Sequence, residues 1–182
     1  MNRRNVQLVI LCEDGQQECF LRRFLKKCGH GRRELRVVKA PPGRGAADKF
    51  VRKHFPTELR AWRTQRGHVS QTVVVMIDGD KLGVRGRLID LDQDCRAAGV
   101  ETRQPGDRVA VFVPTWCIET WFAYLDGNVV DEDRSDYPRL ARERDCQRHV
   151  DTLAAMCERG ELRAPPPRSL VAACDEFKSR LR

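Results

Sequence analysis

The apolar positions of this 182-residue chain follow two rhythms. Around 6–12, 35–40, 72–77 and 109–113 they form short runs rich in Val, Ile and Leu, as buried strands do. Between these runs they recur at helical spacing. Phe20, Leu21, Phe24, Leu25 and Cys28 make one stripe of a helix over 16–28, which Gly29 and Gly31 end. A helical stretch over 46–66 offers Phe50, Phe55, Leu59 and Trp62 to the core and is expected to break or kink near Pro56. A third helix is expected over 86–98, stopped by Gly99, and a short fourth over 116–125, burying Ile118, Trp121, Phe122 and Leu125. After an acidic loop at 126–138 come a helix at 145–159, the linker Ala-Pro-Pro-Pro at 164–167, and a last helix from Ser169. Leu170, Cys174, Phe177 and Leu181 line one side of that helix.

Strands alternating with helices predict an α/β fold, a mostly parallel four-stranded sheet with helices on both faces. The length suits one compact domain: an α/β body over 1–128 and, packed on it, the acidic loop and helical extension over 129–182. No apolar run approaches the ~20 residues of a membrane span, and no secretory signal precedes the first strand. A cytoplasmic location without a membrane partner is therefore expected. The eight cysteines include no C-x₂-C pair, so buried free thiols are expected rather than a zinc site or disulfides.

Charge adds a second layer. Net charge is +8, and residues 1–66 carry 17 Lys/Arg against 6 Asp/Glu, whereas the remainder carries 17 against 20. Arg22, Arg23, Lys26, Lys27 and Arg44 follow the first acidic residues closely and are candidate nucleic-acid contacts.

Two strand runs end in acids. Glu13-Asp14-Gly15 follows the first and Asp78-Gly79-Asp80 the third, and functional groups of open α/β sheets gather at that end of the strands. Two carboxylates one residue apart in extended backbone point the same way and can share Mg²⁺ or Mn²⁺, which prefer hard oxygen ligands. With Glu13 and Glu119 alongside, the cluster needs a counter-charge, since carboxylates ~5 Å apart repel by roughly 3 kcal/mol at an effective dielectric of ~20. Lys81, Arg85 and Arg87 are near enough in sequence to neutralise charge on a reacting phosphate.

Glu13-Asp14-Gly15 with Glu18, Asp78-x-Asp80, and Ile118-Glu119-Thr120-Trp121 together resemble the Toprim fold, and most closely the OLD-type (overcoming lysogenisation defect) nuclease branch. The resemblance covers about residues 6–125. It implies Glu13 as central metal ligand and general base, Asp78 and Asp80 on one ion, and Glu18 with Glu119 on a second, with Mg²⁺ or Mn²⁺ driving phosphodiester hydrolysis of DNA or RNA. Small proteins of this kind are often encoded beside ATPases in phage-defence systems, which implies an ATPase partner for a chain that has no ATP motif of its own. Tyr124 and Tyr137 offer no topoisomerase nucleophile. Two other readings stay open, a non-catalytic nucleic-acid-binding scaffold and a receiver-like phosphoacceptor using Glu13, Asp14, Asp78 and Thr115. The second requires a fifth strand ending in Lys, and none follows residue 125.

Overall fold

The computed structural model describes residues 7–30, 34–43, 45–68 and 70–181. Four parallel strands, β1 (Leu8–Cys12), β2 (Leu35–Lys39), β3 (Thr72–Met76) and β4 (Val109–Phe112), lie in the order β2-β1-β3-β4. The crossovers are α1 (Gly15–Leu25), α2 (Ala47–Gln65) and α3 (Gly83–Ala97); α4 (Glu119–Leu125), α5 (Gln147–Arg159) and α6 (Arg168–Leu181) follow β4. The expected α/β architecture is the one observed. The sheet has four strands among the described residues, and none follows β4.

Alternation along the strands divides the core in two. Ile10, Val74, Met76 and Phe112 pack with α1, α4, α5 and α6, while Leu11, Val75, Ile77 and Val111 pack with α2 and α3. Helices therefore cover both faces. The first face is rich in aromatic rings: Phe20 meets Trp121 edge-on at 6.4 Å and Phe122 at 5.7 Å, and Phe24 meets Phe177 of α6 at 5.2 Å. The extension after residue 128 thus shares the sheet's own core. All eight cysteines are free, five of them buried.

Several element boundaries shift from the sequence reading. α1 stops at Leu25 and passes into a π-type turn over Lys26–His30, where Gly29 takes φ 94°. α2 runs through Pro56 as one helix, with Pro56 buried against the core. The fourth helix begins at Glu119 rather than 116, because Trp116 sits at φ 60°, a conformation no helix contains. No helix among the described residues is long and apolar enough to cross a membrane.

β4 is an edge strand whose outward backbone groups are satisfied by side chains. The Val111 N–H donates to Glu176 Oε2 of α6 at 3.0 Å, Arg103 donates to the Val109 carbonyl at 2.8 Å, and Arg103 and Glu176 are themselves paired. This closes an edge that would otherwise be open to another strand. Glu176→Ala leaves the Val111 N–H unsatisfied and Arg103 unpaired, and should cost about 1–3 kcal/mol in urea denaturation. An unchanged midpoint would show that water replaces the carboxylate at no cost.

Candidate functional site

Parallel strands deliver their following loops to one edge of the sheet, and the acidic residues gather there. Cys12 ends β1, and Asp14 caps α1, its Oδ1 accepting from the Gln17 N–H at 2.8 Å. Glu13 lies between them. Its Oε1 turns across to β3 and accepts from the Asp78 N–H at 2.6 Å. Gln17, fully buried, ties the two loops together: its Nε2 donates to Asp78 Oδ1 at 2.8 Å and its Oε1 accepts from the Glu13 N–H at 3.0 Å. Glu13 and Asp78 are therefore fixed side by side.

Their protonation reflects this. Burial, opposed by the Asp78 N–H and by the charge of Arg87, pushes Glu13 up from the usual 4.5 to about 7. Burial, then the charges of Glu13, Asp14, Glu119 and Asp80, raises Asp78 well above the usual carboxylate range.

Asp80 departs from the extended geometry its spacing suggests. It takes φ 44°, donates its N–H to the Trp116 carbonyl at 3.2 Å, and forms an isolated antiparallel bridge with Trp116. Gly79 is needed for close approach rather than for an unusual φ, because a Cβ there would meet the Pro114 carbonyl oxygen at 2.9 Å. Asp80 Oδ2 is held by Arg87 Nη2 at 2.8 Å, and its side chain is 58% exposed while Asp78 beside it is turned inward. Among the described residues, the non-glycine residues with positive φ are Ala46, Asp80 and Trp116, and all three lie in loops that follow strands at this edge. Strained backbone concentrates where a fold holds functional groups.

Glu119 is buried like the rest of α4 and faces the same end of the sheet, close enough for its charge to raise Asp78. Arg139 lies 3.7 Å from its Oε1. The Cys117 thiol is hydrogen-bonded to Glu119; burial, that bond and the nearby acids push it up to about 12. Glu18, by contrast, is occupied: Lys39 at the end of β2 donates to it at 2.7 Å and Arg22 at 2.8 Å. Partial burial pushes Glu18 up, but these two cations outweigh it and hold the carboxyl below its ordinary value.

Hard oxygens suit Mg²⁺ or Mn²⁺, and Glu13 and Asp78 are the carboxylates that the loops after β1 and β3 hold side by side. The full five-carboxylate set is not assembled. Among the described residues, no three His, Cys, Asp or Glu side chains are grouped to hold a metal ion. The geometry gives the reason: Arg87 draws off Asp80, Lys39 and Arg22 hold Glu18, and Arg139 and Cys117 engage Glu119.

Lys81 and Arg85 are exposed and make no hydrogen bond or ion pair among the described residues, whereas Arg87 is buried and committed to protein acceptors. The basic cluster lies elsewhere than its place in sequence suggests. α1 leads away from the acidic edge, so Arg22, Arg23, Lys26 and Lys27 lie roughly 10–18 Å along it at 1.5 Å per residue. Arg23, Lys26 and Lys27 line an open depression with Gln147 and Asp151 of α5, and Lys27 pairs with Asp151 at 3.1 Å. Arg44 lies outside the described residues.

Sequence reasoning missed Gln17, Asp48 and the 129–146 segment. That segment brings Arg139 to Glu119 and sets the Glu143 carboxylate against Gly15, where a Cβ would collide with it. Glu132 accepts from the Thr115 hydroxyl at 2.9 Å and from the Arg168 and Ser169 N–H groups, pinning the loop after β4 to the start of α6. The hydroxyl that a receiver would use is thus held by Glu132. Only Gln17 carried a sequence signal, a polar residue on the apolar side of a helix.

The chain matches no protein-family model, no curated protein and no solved structure.

The raised Glu13 sets a pH dependence. At about pH 4.5 and below, Glu13 is protonated in both folded and unfolded chains; between there and about 7 the fold keeps a proton that the unfolded chain releases. Glu13 therefore makes stability fall as pH rises through that window. Glu13→Gln should remove this component, so that the gain in stability over the wild type, both metal-free, grows from pH 4.5 to 7.5. A constant or shrinking difference in urea midpoint would contradict the assignment.

Proposed function

We propose that this protein is a divalent-cation-dependent phosphodiesterase acting on nucleic acid, with Glu13 and Asp78 as its central carboxylates. The observation that carries the reading is the Glu13–Asp78 pair, two half-buried acids locked together by a backbone N–H and by Gln17 at the carboxyl edge of a parallel sheet. A fold tolerates such a pair when protons or a cation neutralise it. The resemblance to Toprim proteins of the OLD-type nuclease branch supports the same reading, because the acids after β1 and β3 match its motif positions. Bound Mg²⁺ or Mn²⁺ would supply polarisation of the phosphodiester and activation of the attacking water.

The chain's own residues have separate tasks. Asp78 and Glu13 would hold the cation, and Glu13, turned toward the Asp78 loop, would serve as general base for the attacking water. Glu119, buried on α4 and near enough for its charge to act on Asp78, is the carboxylate available to a second ion. Lys81, exposed and unengaged next to Asp80, is placed to meet phosphate charge. Arg22, Arg23, Lys26 and Lys27 form an electrostatic tract that begins at Glu18 and leads along α1 away from Glu13 and Asp78, which suits a polymer longer than a dinucleotide. A non-catalytic scaffold would keep this tract without turnover, and one assay separates the two.

Purified protein incubated with plasmid, single-stranded DNA and RNA should cut at least one of them in Mg²⁺ or Mn²⁺ and none in EDTA. Glu13→Gln and Asp78→Asn should each lower the rate roughly 10²-fold or more while nucleic-acid binding persists. Glu119→Gln should likewise cost cleavage more than binding. Metal-independent or undiminished cleavage by the Asp78→Asn variant would overturn the reading.

Neutralising Arg22, Arg23, Lys26 and Lys27 together should weaken binding and flatten its dependence on salt concentration, since fewer counterions are released. A salt slope equal to that of the wild type would remove the tract from the interface.

A further inference from the structure

Arg87 has an unusual position for an arginine near a cluster of acids. It stands on the second turn of α3 and is 2% exposed. Its Nε donates to the Asp78 carbonyl at 2.8 Å, its Nη2 to Asp80 Oδ2 at 2.8 Å, and its Nη1 to Asp48 Oδ2 at 3.2 Å, with Asp90 Oδ2 at 3.5 Å. One guanidinium thus joins the turn after β3 to the first turn of α2 and to its own helix. It cannot also reach a substrate phosphate, because its donors are committed and its surface is covered. Asp48 and Asp80 both act on Glu13 through their charges, which places the guanidinium among the same carboxylates.

We propose that Arg87 is a built-in counter-ion that withholds Asp80 from a divalent cation, so that cation and guanidinium compete for the Asp80 carboxylate. The inference rests on the cation site proposed above and adds its regulation. Asp80 has the one exposed carboxylate of the Asp-Gly-Asp turn, and only Arg87 holds it among the described residues. Its left-handed backbone and the Gly79 contact with Pro114 fix the turn in the position where the guanidinium reaches it. A cation seated on Glu13 and Asp78 would repel Arg87 and attract Asp80, and both effects favour transfer of the carboxylate from one positive charge to the other. Arg87 acts through Asp80 and is a positioning residue.

The test is Mn²⁺ binding to the full-length, EDTA-treated protein, followed by calorimetry or by the electron paramagnetic resonance of free Mn²⁺. Arg87→Gln should bind Mn²⁺ at least roughly tenfold more tightly than the wild type, because even at a water-like dielectric a unit charge a few ångströms from a divalent ion repels it on about that scale. A merely structural role would weaken binding or leave it unchanged. The gain should largely vanish in an Asp80→Asn background, because Asp80 is what Arg87 withholds. Without metal, Arg87→Gln should melt below the wild type, and Mn²⁺ should raise its Tm by more. If Arg87→Gln folds only with Mn²⁺ present, the cation has replaced the guanidinium and the proposal stands; failure to fold even with Mn²⁺ overturns it. Arg87→Lys keeps the charge on a single ammonium that cannot serve all these acceptors, and should bind Mn²⁺ severalfold more tightly than the wild type. Wild-type affinity in both variants overturns the role of Arg87 alone. A wild type that binds no Mn²⁺ overturns the cation site itself.

Discussion

Because all four strands run in one direction, every loop that follows a strand is delivered to the same edge of the sheet. Glu13, Asp14, Asp78, Asp80 and Glu119 are thereby brought to one end of the molecule whether or not they attract one another. That convergence is costly in a partly buried setting, and much of the local structure is an answer to it. Gln17 bridges two of the acids without adding charge, Arg87 supplies a buried positive charge, and Glu13 and Asp78 lean toward their neutral forms. The rigid sheet makes the arrangement possible, since the hydrophobic layers on its two faces fix the strand ends from which the acids project.

The segment after β4 completes this edge. Glu132 ties Thr115 to the start of α6, Arg139 reaches Glu119, and Glu143 rests on Gly15. The same extension seals the β4 edge through Glu176 and fills the aromatic side of the core through Phe177. The C-terminal residues therefore support the fold and frame the acidic site together, and removing them would disturb both.

The structure also separates two features that adjoin in sequence. The acids stand at the start of α1 and the basic residues at its far end, because a helix carries its chain away from the strand it follows. A polyanion engaging both would have to extend along the helix. Within the acidic cluster, the cation nearest the Asp-Gly-Asp turn is internal, and Lys81 and Arg85 are the ones left facing solvent.

The sequence by itself determined the strand and helix alternation, the parallel sheet, the apolar stripes and the acids at the ends of β1 and β3. These are set by local periodicity: a buried strand must be apolar throughout, and a helix must show one apolar face. Glu119 was legible for the same reason, as an acid just beyond β4. Tertiary structure alone decided which acids meet. Asp80 leaves the shared line because its φ is 44° and Arg87 grips it, a contact no spacing rule specifies. Glu18 is lost to Lys39, which pairing with β1 places beside it from the end of β2. Helix boundaries slipped where backbone strain intervened, as at Trp116, and α2 runs on through Pro56. Long side chains choose partners by distance after folding, and a linear sequence records their charges but not those distances.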